Sequence, residues 1–178
     1  MEGMIKIMKI WFLTGEFAPD FGGGIGTYVE NCAKMFAQAG DDVTVIVRSI
    51  NGDKVENAKE GYRIVRFQQG EGENYRYLGY DNALAYQYYE VIMDMIDKYG
   101  KPDIIEMQEY NAYGQYIIQN KLMLQEKLQD IPLVVHLHTP SFETLKINQF
   151  NTYEAPFYWI GEMEKFCIKG ADSLVCPS

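Results

Sequence analysis

Ile5-Lys6-Ile7-Met8-Lys9-Ile10-Trp11-Phe12-Leu13, followed by Gly22-Gly23-Gly24-Ile25-Gly26-Thr27-Tyr28-Val29, is the stretch on which the fold turns. The first segment reads as a buried strand. The second opens a helix over Ile25 to Ala39, because Ile25, Val29, Cys32, Phe36 and Ala39 recur at helical spacing. Gly40 is the expected stop, and the β-branched run Val43 to Val47 is a second buried strand. Strand, glycine turn, helix and strand make a parallel unit. The glycines let a ligand approach the backbone, and the helix behind them offers unpaired N–H groups and a positive dipole end to an anion.

The rest of the chain extends this pattern. Gly61 to Phe67 alternates less cleanly and is placed as a third strand nearer an edge. Gln68 to Tyr80 is rich in Gly, Glu and Tyr and reads as a loop. Asp81 caps a helix with the apolar stripe Leu84, Tyr88, Val91, Met95 and Tyr99, which Gly100 and Pro102 end. A strand at Asp103 to Gln108, a helix at Ala112 to Leu128 and a strand at Leu133 to Leu137 follow. Thr139 to Ala155 reads mostly as loop. Phe157, Ile160, Met163 and Cys167 then mark a helix, and Ser173 to Cys176 a short strand. Apolar strands alternating with helices imply one α/β domain over residues 1–178, a mostly parallel sheet covered on both faces. Ligands of such sheets bind beyond the carboxyl ends of the strands. The loops after Leu13, Gln108 and Leu137 are therefore the ones that matter.

Composition narrows the partners. The 178 residues carry 16 Lys and Arg against 25 Asp and Glu, a formal net charge of −9, which argues against nonspecific nucleic-acid binding. Cys32, Cys167 and Cys176 lack metal-ligand spacing and fall on apolar faces, where they read as core filler. Reduced thiols suit the cytoplasm. The N-terminal apolar run is broken by Lys9 and too short for a membrane span. A soluble, cytoplasmic protein without a stable membrane anchor is the expectation.

Three groups of residues carry candidate chemistry. The glycine cluster is not a dinucleotide fingerprint, because Thr27 or Val29 stands where the third glycine is needed. It is not a P-loop, because no Gly-Lys-Ser/Thr occurs. Three consecutive glycines exceed what a structural turn requires. Glu109-Tyr110-Asn111 follows a strand directly: Glu109 is either a solvated surface carboxylate or an acceptor for sugar hydroxyls, with Tyr110 offering a flat apolar face. His136 and His138 alternate onto one side of their strand. With two histidines and no nearby cysteine a metal site is not expected. His136 reads as a satisfied core residue, and His138, at the carboxyl end, as the one that faces a ligand. Glu154 and Glu162 read as helix-surface charge.

Taken with Glu16-Phe17-Ala18-Pro19, Pro102-Asp103-Ile104-Ile105-Glu106, Val135-His136-Leu137-His138-Thr139-Pro140 and Ala171-Asp172-Ser173-Leu174-Val175-Cys176-Pro177-Ser178, the three loops resemble the N-terminal domain of GT-B fold, family 4 glycosyltransferases. The resemblance implies a Rossmann-like, doubly wound domain on the acceptor side of a retaining enzyme. Such an enzyme transfers a sugar from a nucleotide-sugar donor (UDP-, ADP- or GDP-linked) to an acceptor hydroxyl. It implies that Gly23, Gly24 and Gly26 contact the donor diphosphate, that His138 lies near the donor sugar, and that Glu109 faces the reacting sugars with Tyr110 beside it. No cofactor or metal is implied; the nucleotide sugar is a substrate. Most donor contacts, including a Glu-x7-Glu element, are implied to lie in a C-terminal domain outside this chain, without which the chain alone is expected to be inactive. Asp41 stands where the family usually has His, away from the three loops.

Two other readings stay open at this point. One is a non-catalytic nucleotide- or carbohydrate-binding module. The other is an oxidoreductase, which the glycine spacing and the Arg48-Ser49 pair at the end of the second strand disfavour.

Overall fold

The computed structural model describes residues 6–70 and 73–176. Ile5, at the start of the expected first strand, and Pro177-Ser178 lie outside the described residues. Seven strands, β1 (Lys9–Thr14), β2 (Asp42–Ser49), β3 (Lys54–Asn57), β4 (Arg63–Gln68), β5 (Ile104–Gln108), β6 (Leu133–His136) and β7 (Ser173–Val175), form one sheet in the order β3-β4-β2-β1-β5-β6-β7. Every pairing is parallel except that of β3 with β4. The helices are α1 (Gly24–Ala39), α2 (Glu73–Leu78), α3 (Tyr80–Tyr99), α4 (Gln115–Leu122), α5 (Ser141–Ile147) and α6 (Phe157–Gly170).

Alternation along β1 builds both cores. Ile10 and Phe12 join Val29 and Ala33 of α1 and the valines of β2 on one face. Trp11 and Leu13 join Leu84, Tyr88 and Ile92 of α3, Ile117 of α4 and Met163 and Cys167 of α6 on the other. The sheet is thus the doubly wound, Rossmann-like arrangement expected. Gly40 ends α1 in the left-handed region, at φ 99°, and Asp41 accepts the Met8 N–H at the amino-terminal end of the sheet.

Several local expectations are corrected. Strand β3 has no apolar alternation and pairs as an antiparallel edge. The uneven pattern of β4 comes from Arg66, which is buried beside Asp20 and Glu56. Helices α2 and α5 lie in segments read as loop; at six and seven residues they are too short to show a period. Helix α3 is capped by Gly79 without a side-chain bond, so Asp81 sits in the first turn and not at the cap. The helix expected over Ala112 to Leu128 is confined to Gln115–Leu122, with short 3₁₀ turns on either side. Leu124, at φ 64°, takes the left-handed place that glycine usually holds past a helix end, so no glycine signals the stop. Cys167 is buried, its thiol pushed up to about 12 by desolvation; Cys32 is half-buried, and Cys176 is exposed and not core filler. Among the described residues no helix is long and apolar enough to cross a membrane.

One side chain fixes where the strand tips diverge. The β1–β2 ladder ends at the Thr14–Val47 pair, after which β1 turns toward the glycine loop. Tyr88, fully buried on α3, inserts its hydroxyl there, donating to Thr14 O at 2.6 Å and accepting from Arg48 N–H at 3.2 Å. Two backbone groups at the splay point are thereby satisfied. Tyr88→Phe removes both bonds and is expected to cost about 2 kcal/mol. The check is a urea midpoint lowered by about 1 M at unchanged slope.

Candidate functional site

The first wall of the site is the glycine loop at the start of α1. Gly23 precedes the helix and supplies no side-chain cap, and the first turn carries no acidic residue. The positive end of the helix is met from within the chain by Glu16, whose Oε2 accepts a long bond of 3.5 Å from Gly26 N–H. A Cβ on Gly26 would lie 2.9 Å from the Glu16 backbone oxygen, so glycine is needed there for the close approach of two chain segments. A Cβ on Gly23 would meet the end of the flexible Glu16 side chain. A Cβ on Gly22 or Gly24 would meet nothing within 4 Å, so neighbouring atoms do not demand glycine at either place. Buried polar side chains hold the approach to this loop: Thr14 Oγ1 donates to Gln108 Oε1 at 2.9 Å and accepts the Glu16 N–H at 3.2 Å.

The second wall is made by the tips of β5 and β6. Glu109 is fully buried, not a solvated surface residue. Its Oε1 accepts the His138 N–H at 2.7 Å, and its Oε2 makes no hydrogen bond. Desolvation pushes the Glu109 carboxyl above the ordinary carboxylate range; the His138 N–H opposes that rise, and the nearby charge of Glu164 adds to it. Tyr110 is partly exposed beside it, and its carbonyl accepts from Gln108 Nε2 at 3.4 Å.

His138 and His136 do share one side of β6, their rings 4.5 Å apart. Tyr28 of α1 lies edge-on to both, 4.1 Å from His136 and 5.4 Å from His138, and donates its hydroxyl to Glu106 at 2.8 Å. This chain of contacts joins the glycine-loop helix to the β6 tip. His136 is buried as expected but not satisfied: its Nδ1 makes no hydrogen bond and lies 3.6 Å from Glu106 Oε1. Burial, with a smaller contribution from His136, holds the His138 pKa below the ordinary histidine value. Its imidazole is therefore neutral at neutral pH.

Strained backbone shapes the β5 tip. Asn111 and Ala112 are consecutive non-glycine residues in the left-handed region, at φ 59° and 50°. That conformation costs about 1–2 kcal/mol per residue. It is held by Glu164 of α6, fully buried, whose Oε1 accepts the N–H groups of Asn111 and Ser141, both at 3.0 Å. Ala112 N–H donates to Glu109 O at 2.8 Å. The sequence reading missed Glu164, although a signal was present: it lies four residues from Ile160 and three from Cys167, on the apolar stripe of its helix. Glu106 and Gln108 were passed over as plain strand residues. Glu154 and Glu162 are exposed, as surface charge should be, and Glu162 pairs with Lys165 at 2.7 Å. Among the described residues no three His, Cys, Asp or Glu side chains cluster around a metal-sized site.

The sequence profile described as Glycosyltransferase Family 4 matches residues 22–178. None of the curated proteins matches the chain at a significant level. Among solved structures, sucrose-phosphate synthase from Thermosynechococcus elongatus superposes with a TM-score of 0.67 at 21% identity, over 93% of this chain and 41% of that one. The catalytic domain of starch synthase IV from Arabidopsis thaliana, bound to ADP and acarbose, superposes at 0.58 and 14% identity, over 78% of this chain and 35% of that one. LpCGTa in complex with UDP superposes at 0.62 and 10% identity, over 97% and 46%. The chain thus spans less than half the length of each of these structures. Its doubly wound sheet is the Rossmann-like half of a GT-B fold, and the chain belongs to glycosyltransferase family 4.

Proposed function

We propose that the protein transfers a sugar from a nucleotide-sugar donor to an acceptor hydroxyl with retained anomeric configuration, and that this chain is its acceptor-side lobe. The carrying observation is the open space beside Gly22 and Gly24, at a helix start that has no side-chain cap, holds only the long Glu16 bond, and is linked to His138 by Tyr28. A phosphate fits such a place because backbone N–H groups and the helix dipole face it once the Glu16 side chain swings aside. Solved relatives in fold carry ADP and UDP, which favours a nucleotide as the phosphate's source. The nucleotide base and most of the donor sugar are assigned to a second lobe.

In this reading the bond between the anomeric carbon and the diphosphate breaks while the acceptor oxygen bonds to the same carbon. The acceptor proton passes to the departing phosphate. Gly23, Gly24 and Gly26 present N–H groups to the developing negative charge. His138 stands beside the donor sugar as a neutral imidazole, able to donate one hydrogen bond and accept another. Tyr110 offers a face to the acceptor. Glu109 acts through His138: enclosed, it fixes the backbone of that residue by its 2.7 Å bond.

The direct test is incubation of the full-length protein with UDP-, ADP- and GDP-sugars and a panel of hydroxyl acceptors. A product with the donor's anomeric configuration is expected. No transfer from any donor, or an inverted product, overturns the proposal.

Gly24→Val separates a ligand cradle from a structural turn. An added Cβ has no neighbouring atom within 4 Å, so stability should change by no more than about 0.5 kcal/mol. Donor affinity, read as KM, should weaken about tenfold or more. An unchanged KM removes the cradle role.

His138→Ala and Glu109→Ala are each expected to lower kcat about 100-fold. Glu109→Gln keeps an acceptor for the His138 N–H and should lose less than about tenfold. Because the folded pKa of His138 is lowered, activity should persist as pH falls past about 6.5 and fail only when the imidazole protonates below that value. A kcat/KM profile measured to acid pH checks the position of that limb, which His138→Ala should abolish.

A further inference from the structure

Beside the glycine loop, beyond the carboxyl ends of β2 and β4, lies a cavity of about 710 Å³. That is within the usual size of a small-molecule site. Phe21 of the glycine loop forms one side, so the cavity adjoins the proposed donor phosphates. Ile50, Tyr75 and Tyr80 add apolar and aromatic wall. Among the described residues its charged lining is Arg48, Arg76 and Glu73, two positive against one negative in a chain of net charge −9.

Arg48 is the unusual member. Its guanidinium rests 4.2 Å over the Phe21 ring; Nε donates to Gly15 O at 3.4 Å, and Nη1 donates to Gln69 Oε1 at 3.2 Å and to Tyr80 Oη at 2.9 Å. All these partners are neutral. Among the described residues no carboxylate lies within 4.0 Å of it, and Nη2 makes no hydrogen bond; Asp81 acts on it from a longer range. Arg66, on the next strand and buried, is by contrast paired: Asp20 lies 3.5 Å away and Glu56 3.8 Å. Arg48 is instead oriented by neutral partners, without an ion pair among the described residues, at the wall of a cavity. Arg76, also without an ion pair among the described residues, adds a second positive group to the lining. A guanidinium held in this way offers an anion the two N–H donors of Nη2 and an oriented positive charge. The aromatic walls suit the ring that carries it.

We propose that this cavity takes the acceptor and that Arg48, assisted by Arg76, selects an acceptor sugar bearing a phosphate or carboxylate group. The inference rests on the glycosyltransferase reading and adds the substrate class and the residue that reads it.

The test is calorimetric titration of the full-length protein with glucose, glucose 6-phosphate and glucuronate, with UDP, ADP and GDP titrated in parallel. At least one anionic sugar should bind about tenfold or more tighter than glucose. That preference should shrink as salt rises from about 50 to about 500 mM. Preference for the phosphate or for the carboxylate identifies which anion is read. In Arg48→Gln the ratio of anionic to neutral affinity should fall about fivefold or more. In Arg76→Gln, an exposed substitution that spares the Arg48 contacts, it should fall about twofold. A ratio taken within one variant does not depend on how much of that variant folds. Equal affinity for the three sugars, no binding of either anionic sugar up to about 10 mM, or an unchanged ratio in both variants overturns the inference. Nucleotide binding without an anion preference sinks this site alone. An anion preference without nucleotide binding sustains the site and sinks the transferase reading.

Discussion

The position of β1 in the middle of a parallel sheet constrains everything else. β1 is flanked by β2 on one side and β5 on the other, and the chain reaches them by connections on opposite faces. Where such connections part, the strand tips open a crevice that no crossover can fill. The glycine loop follows β1, Arg48 ends β2, Glu109 follows β5 and His138 follows β6. Residues distant in sequence meet because the topology leaves them no other end of the sheet to share. Tyr88 makes the parting tolerable: its hydroxyl serves the carbonyl and N–H that the ladder abandons when β1 bends away.

Buried carboxylates hold the turns that border the crevice. Glu109 and Glu164 are both completely enclosed, and both carboxyls are raised by desolvation. Burial of such groups is unfavourable unless backbone N–H donors repay it. The donors they take are those of Asn111, His138, Ser141 and Phe142, the turning points of the segments after β5 and β6. The left-handed pair Asn111-Ala112 is thus over-determined by the groups around it, which is the condition under which strain of this size persists.

How legible this was in the sequence follows from what each feature asks of its residues. β1, α1 and β2 were readable because burial on both faces demands long apolar runs, and because a glycine at φ 99° stops the helix. β3 was not, since an edge strand with exposed side chains asks little of its composition. The place of His138 at a strand tip followed from its strand. The enclosure of Glu109 did not, because the N–H that accommodates its carboxylate comes from a residue 29 positions later. Glu164 broke the apolar stripe of α6 and was visible as an anomaly, but its partners at residues 111, 141 and 142 appear only in three dimensions. Pairwise spacing finds helices and strands; it does not find which distant backbone groups a buried carboxylate will serve.

The electrostatics of the crevice have to be argued locally. A net charge of −9 would seem to oppose an anionic donor. Yet the field of an exposed carboxylate is largely screened beyond about 8 Å at physiological salt. Only groups inside that radius decide. There the chain offers a helix start at Gly23 to Gly26 without a side-chain cap and, at Arg48, a guanidinium with no carboxylate within 4.0 Å among the described residues. Opposing them is Glu16, whose carboxylate sits over Gly23 at the long 3.5 Å bond to Gly26. A diphosphate entering that place meets this like charge at close range, so its binding requires the Glu16 side chain to swing off the helix start. The weak bond there is what would permit it: the unliganded helix keeps a partial counter-charge, and a doubly charged ligand accepting from several N–H groups would outcompete a single carboxylate oxygen held at the limit of hydrogen bonding.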